Sequence, residues 1–327
     1  MIVVTGAAGL VGNVLLRSLA AEGATGLRAV VRPGGRKTSL AGLNVEIIEA
    51  DVRDRDALAA AFRGADVVYH TAGMVSIARG GSERLRQANV EGTRSVLAAS
   101  REAGVGRLVY TSSVHAFVEA PWGTCLDETG ALDPTSLRGA YARAKAEATL
   151  LVLDAAREGL DAVVVFPSGI IGPYDFRPSH TGALVLACAH RRLGAYVHGA
   201  YNFVDVRDVA QGMMAAAAKG RRGEGYILAG HEVTVRDLLR GIEAATGVPA
   251  PRLRLPIRLI RAVSFAIPAY YRITRQQPLF TSYSLDVICS NCSMSPAKAE
   301  RELGFTRRPF KETLEDTVGW FVQQGMI

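Results

Sequence analysis

Short runs of aliphatic and β-branched residues fall at 1–5, 27–31, 45–49, 65–70, 107–111 and 160–166. Between them, at 13–20, 55–62, 83–103 and 137–157, apolar positions recur at helical spacing. Apolar runs without polar alternation suit strands covered on both faces, and their regular alternation with helices predicts an α/β fold built on a doubly wound parallel sheet. Local signals fix several boundaries. Asp54 is an N-cap for the helix at 55–62, and Thr234 caps a helix that Gly247 and Pro249 stop. Beyond residue 169 the alternation loosens, although 202–208 with the helix after it and a strand at 225–229 look like a return to the sheet. The expected division is a sheet domain, 1–169 with 202–230, and a smaller interleaved lobe, 170–201 and 231–327.

The turn after the first strand, Thr5-Gly6-Ala7-Ala8-Gly9-Leu10-Val11-Gly12, has the form of a phosphate cradle. Gly6 permits a tight turn, Gly9 removes the Cβ that would hold off a pyrophosphate, and Gly12 lets helix and strand pack closely. The helix N-terminus at Leu10 and Val11 then offers backbone N–H groups to the anion. After the second strand, where a carboxylate would hold the ribose hydroxyls of NAD, the chain has Arg32-Pro33-Gly34-Gly35-Arg36-Lys37. Arg32, with Arg36 or Lys37, suits a 2′-phosphate, so NADP is expected ahead of NAD, although a solvated basic turn has the same composition. Asp51 and Val52 follow the third strand, where the adenine would lie. Ala72 and Gly73 follow the fourth and would let a ring or ribose rest on the backbone. His70, at a strand end, and Asn89, within a helical stretch, are read as structural.

Candidate chemistry comes from two further places. The fifth strand delivers Ser112 and Ser113 at its carboxyl end, the edge where ligands bind in open α/β sheets. Tyr141 and Lys145 are four residues apart in a helical run, which places phenol and ammonium on one face. A free phenol has a pKa near about 10, and a neighbouring cation is expected to lower it toward useful acid/base work. Pro167 and Ser168 close the sixth strand at the same edge.

Composition narrows the function classes. A chain of 327 residues, 49% hydrophobic and 21% charged, can bury the core of one large or two smaller domains. The net charge of +7 rests on scattered arginines, since only five of the 38 basic residues are Lys. No basic block alternates with aromatics, so a nucleic-acid partner is not expected. Met1 runs directly into the first strand, leaving no place for a removable leader, and a cytoplasmic protein is expected. The longest membrane candidate, 253–273, is broken by Arg254, Pro256, Arg258, Arg261 and Pro268, so no integral membrane segment is expected. Cys125, Cys188, Cys289 and Cys292 do not make a disulfide framework in a chain this long; Cys289 and Cys292 lack a second pair, and no metal is expected.

With these residues assembled, the chain resembles the extended short-chain dehydrogenases/reductases of the NAD-dependent epimerase/dehydratase superfamily, through the glycine turn, Ser113 and the Tyr141/Lys145 pair. Val31-Arg32-Pro33, the stretch from Asn89 to Arg94, Tyr110 to Ser113, Phe166-Pro167-Ser168 and Gly172-Pro173 resemble its dihydroflavonol-4-reductase-like and hopanoid-associated branch. The resemblance implies a Rossmann-like sheet carrying the nucleotide and a smaller C-terminal lobe over a small-molecule substrate, in a homodimer. It also implies that Tyr141 exchanges a proton with the substrate oxygen, Lys145 tunes it and holds the nicotinamide ribose, and Ser113 orients the carbonyl. Phe166 stands where many relatives have arginine, and Arg177, Arg191 and Arg192 are left without a place. The leading function is an NADP-dependent oxidoreductase of a ketone or alcohol. A sugar-nucleotide epimerase or dehydratase and a nucleotide-sensing binding protein are the alternatives. Phe265, Tyr270, Tyr271, Phe280 and Tyr283 are either pocket or core.

Overall fold

In the computed structural model, which describes residues 1–75, 82–259, 285 and 288–327, the apolar runs line up as one parallel sheet. The first half of the chain runs β1 (Ile2–Thr5), α1 (Leu10–Ala21), β2 (Leu27–Val31), β3 (Glu46–Glu49), α2 (Arg55–Phe62) and β4 (Val67–His70). It continues with α3 (Ser82–Arg86), a π turn (Gln87–Glu91), α4 (Gly92–Glu102), β5 (Arg107–Thr111), α5 (Ala140–Arg157) and β6 (Ala162–Pro167). Then follow β7 (Gly169–Ile171), α6 (His180–Ala189), β8 (Ala195–Val197), β9 (Ala200–Asp205), α7 (Val206–Lys219), β10 (Gly225–Leu228) and β11 (His231–Thr234). α8 (Val235–Thr246), β12 (Leu253–Leu255), α9 (Ala297–Leu303) and α10 (Phe310–Gln323) complete the described elements.

The large sheet has the order β10-β6-β5-β4-β1-β2-β3, every neighbour parallel. Helices cover both faces, and alternate strand residues serve two cores. Leu108 and Tyr110 pack with Leu58, Phe62 and Val96 beneath α2 and α4, while Val109 packs with Leu15, Leu16 and Met213 beneath α1 and α7. The strand order reverses between β1 and β4, which pair from Ile2 opposite Val67 to Thr5 opposite His70. Their carboxyl ends therefore border the crevice of the fold.

Three expectations are corrected. The stretch 83–103 is not one regular helix: the π turn between α3 and α4 widens the backbone at Asn89, whose Oδ1 accepts from Met74 N at 2.7 Å while Nδ2 donates to Met74 O at 2.9 Å. The run from 137 becomes helical only at Ala140, because Gly139 has φ +89°, outside the helical region. The stretch 202–230 splits: β9 joins a separate sheet, parallel to β7 and antiparallel to β11, and only α7 and β10 go back to the large sheet. The expected caps are in place, with Asp54 accepting from Ala57 N and Thr234 from Asp237 N, each at 3.0 Å, and Gly247 left-handed after α8.

The smaller lobe has its own core, in which Phe203, Leu238, Ile242, Leu314 and Phe321 meet. Phe265, Tyr270, Tyr271, Phe280, Tyr283 and the membrane candidate from residue 260 onward lie outside the described residues. Among the described residues no helix is long and apolar enough to cross a membrane.

Candidate active site

The glycine turn is a cradle made by close backbone contact. Gly6 has φ +68°, and a Cβ there would stand 2.5 Å from Ala72 N. A Cβ on Gly12 would stand 2.5 Å from Gly6 O and 2.8 Å from Ala7 Cα, so α1 can lie this near to β1 only without a side chain. Gly9 differs: its φ is −78°, its surface is exposed, and a Cβ would meet only Gly6 O, at 3.2 Å. The open face of the turn is therefore at Gly9, where α1 begins with no side-chain cap and no acidic residue in its first turn. N–H groups at Leu10 and Val11, at a helix start with no side-chain cap and no acidic residue in its first turn, suit the pyrophosphate of a dinucleotide.

Along the same edge, Arg32 is exposed at the end of β2 and attracts Asp51 through space. Asp51 is held by Arg53 through two bonds of 2.9 and 2.8 Å, which bring its carboxyl down to about 2. Lys37 pairs with Glu49 at 2.5 Å and is thereby drawn to β3. Val52 packs against Gly92, where an added Cβ would stand 2.9 Å away. Ala72 and Gly73 sit across the crevice from Gly6, and Gly73 has Asn89 Oδ1 and Lys145 Nζ beside it. His70 is buried between Thr5 Oγ1, at 2.7 Å, and Thr93 Oγ1, at 3.3 Å, and burial brings it down to about 3. It is a neutral part of the core.

Ser113, Tyr141 and Lys145 come together at the end of β5. Ser112 Oγ lies 2.6 Å from Thr149 Oγ1, whose hydroxyl donates to Lys145 O at 2.7 Å, so α5 is pinned to the strand end. The Ser113 side chain lies close enough to the Tyr141 phenol to favour its ionised form. Lys145 is buried; its Nζ donates to Thr111 O at 2.8 Å and lies 5.1 Å from the Tyr110 ring centre. The expected lowering of the phenol is corrected here. Burial is the larger influence and raises the Tyr141 pKa, with the Ser113 side chain opposing it. Burial brings Lys145 down to about 8. Shared helical spacing placed the two on one face, but the backbone carbonyl decides where the ammonium points.

Pro167 ends β6 opposite Leu228, and the buried Ser168 has its Oγ 3.4 Å from Gly230 N, at the joint between the two sheets. Arg191 and Arg192 are exposed after α6, and Arg177 is exposed before it; no described contact brings them to Tyr141. Two residues absent from the sequence reading do reach the site. His115, two places after Ser113, has its ring centre 6.2 Å from that of Tyr141, and Tyr201 from β9 lies 2.7 Å from His115 Nε2. Proximity to Ser113 was a usable signal for His115; a separation of 86 positions left none for Tyr201.

Comparison with known proteins agrees with this geometry. The chain is 38% identical over 326 residues to sterol demethylase protein B of Methylococcus capsulatus, covering 99% of each. It is 34% identical to a protein of Synechocystis provisionally named dihydroflavonol 4-reductase, covering 99% of this chain and 95% of that one. The crystal structure of gox2253 superimposes with a TM-score of 0.88 at 35% identity, over 100% of this chain and 99% of that one. The family model described as "NAD dependent epimerase/dehydratase family" matches residues 2–229, from the glycine cradle to the last strand of the large sheet. The chain thus belongs to that family, the extended short-chain dehydrogenases/reductases, and is an NAD(P)-dependent oxidoreductase.

Proposed function

We propose that the protein reduces the ketone of a small apolar or aromatic substrate with NADPH, or oxidises the corresponding alcohol. The observation that carries this reading is the gathering of Ser113, Tyr141 and Lys145 at the carboxyl end of β5, on the same sheet edge as the glycine turn, with the Tyr141 phenol raised by burial and so in the protonated form that a donor to a carbonyl needs. When bound, the nicotinamide supplies or takes up the hydride. Tyr141 gives the proton from its hydroxyl to the substrate oxygen, and Ser113 holds that oxygen in line. Lys145, whose Nζ lies beside Gly73, would hold the nicotinamide ribose of the bound cofactor. Gly6, Gly9, Gly12 and the N–H groups of Leu10 and Val11 hold the pyrophosphate. Asp51, Val52, Ala72, Gly73, Pro167 and Ser168 would border the rest of the bound nucleotide. Arg32, exposed and without a carboxylate in hydrogen-bond contact among the described residues, meets the 2′-phosphate and favours NADP over NAD. Dihydroflavonol reduction and sterol demethylation, named for the two relatives, both concern ring compounds, which supports an apolar or aromatic substrate.

A second reading, a sugar-nucleotide epimerase or dehydratase, is favoured by the family model's own description. Such an enzyme regenerates its cofactor within each turnover, so the decisive experiment follows NADPH absorbance against product formed across ring ketones and nucleotide sugars. Loss of one NADPH per product supports the reductase; conversion without net loss supports the alternative. We further place the protein in the cytoplasm as a homodimer, the latter read by light scattering at micromolar concentration.

A further inference from the structure

Tyr201 belongs to the small sheet and His115 to the carboxyl edge of the large one, yet their side chains meet. The Tyr201 hydroxyl is 2.7 Å from His115 Nε2, the ring planes differ by 16°, and the centroids are 6.0 Å apart. Rings stacked face to face lie closer than this, and a hydroxyl that reaches a ring nitrogen in the common plane puts the rings edge to edge. The two side chains form one nearly flat plate. Space for it comes from Gly169, where a Cβ would stand 2.4 Å from Tyr201 Cε1. Gly169 directly follows Pro167 and Ser168, at the end of β6. The other end of the plate meets Tyr141, whose ring stands at 72° to the imidazole. The plate therefore spans the interval between the end of β6 and the proton-donating phenol.

We propose that the plate formed by His115 and Tyr201 is the substrate-recognition wall of this site, taking a flat ring system and directing the carbonyl it bears toward Tyr141. The proposal rests on the reductase reading for the nature of the reacting group. Burial brings His115 down to about 4, so at neutral pH the wall carries no charge on its imidazole. Such a surface gains from an apolar ring laid against it, whereas a diphosphate would be desolvated there without a cation from the plate.

The test uses the full chain with NADPH, β-tetralone and androstenedione as flat ring ketones, and methyl hexyl ketone as an acyclic comparison. In His115→Ala and Tyr201→Ala, kcat/KM for the ring ketones should fall about tenfold or more, mainly through KM, and by at least about fivefold more than it falls for the acyclic ketone. A merely structural role would depress all three alike. Tyr201→Phe keeps the ring and loses the bond, and should fall between wild type and Tyr201→Ala. The second measurement needs no turnover: the His115 Cε1–H resonance should shift when a ring ketone is added with NADP+. A shift without NADPH consumption would uphold the wall and sink the reductase reading. Turnover with no shift, and with the ring-to-acyclic preference unchanged in both alanine variants, would overturn the wall and leave the reading standing. Absence of both shift and turnover would also overturn the wall.

Discussion

The glycine turn and the cluster around Tyr141 are built by different means. At Gly6 and Gly12 the chain removes side chains so that backbone meets backbone, with added Cβ atoms standing 2.5 Å from Ala72 N and from Gly6 O. At Tyr141 the chain assembles side chains from distant segments: Ser113 after β5, Lys145 along α5, and Tyr201 from the other sheet. The first kind of site is written in local spacing and tolerates almost no substitution. The second depends on tertiary contacts, so its members can be exchanged with graded effects on rate, affinity and substrate choice.

The largest expected effect lies on the side-chain half. Tyr141→Phe keeps the ring but removes the proton, and turnover should fall by roughly two to four orders of magnitude with cofactor affinity nearly unchanged. Steady-state kinetics on any converted ketone, beside a fluorescence titration with NADPH, reads both quantities.

Next come two glycines that should separate folding from binding. Gly12→Val places carbon among backbone atoms that cannot yield, and should cost about 2–4 kcal/mol of stability in denaturant unfolding. Gly9→Val meets only Gly6 O at 3.2 Å and has an ordinary φ, so the fold should survive while cofactor affinity is lost. Equal loss of stability in both would erase the distinction drawn between the turn's closed and open faces.

Arg32→Ala should weaken NADPH by about 1.5–3 kcal/mol and leave NADH nearly unchanged, since only the charge-assisted contact to the extra phosphate is removed. Calorimetric titration with each cofactor measures the difference; equal wild-type affinities would remove the basis for NADP preference.

The smallest effect is a pH dependence. Lys145, lowered by burial to about 8, is charged below that pH and neutral above it. NADPH affinity should therefore decline as pH rises through about 8, and Lys145→Met should abolish that limb while weakening binding below it. The sign for folding is opposite. The unfolded lysine, with a pKa near about 10.4, holds its proton where the folded one has lost it, so this group makes the fold more stable as pH rises from about 8 to 10.4.

The same contrast explains what was legible in the sequence. Glycine spacing, the Asp54 and Thr234 caps and the apolar strands are short-range signals, and they located the cradle, the cap residues and the parallel sheet. Ser113, Tyr141 and Lys145 were also visible, because a strand end and one helix face suffice to place them. The direction of the Tyr141 shift was not, because it depends on how deeply the phenol is buried. The π turn at Asn89 was hidden as well: its cause is a pair of bonds to Met74, fifteen positions away, that helical periodicity does not encode. The stretch 202–208 reads as a return to the large sheet, but β9 ends at Asp205 and which sheet it joins is decided by partners at Gly169 and His231.

The most direct test of the account is stoichiometry in a single experiment: NADPH absorbance followed against ketone converted, for wild type and Tyr141→Phe side by side. The expected result is one NADPH lost per alcohol formed by the wild type, and conversion nearly abolished in the variant with NADPH still bound. Conversion without net NADPH loss, or near wild-type turnover by Tyr141→Phe, would contradict it.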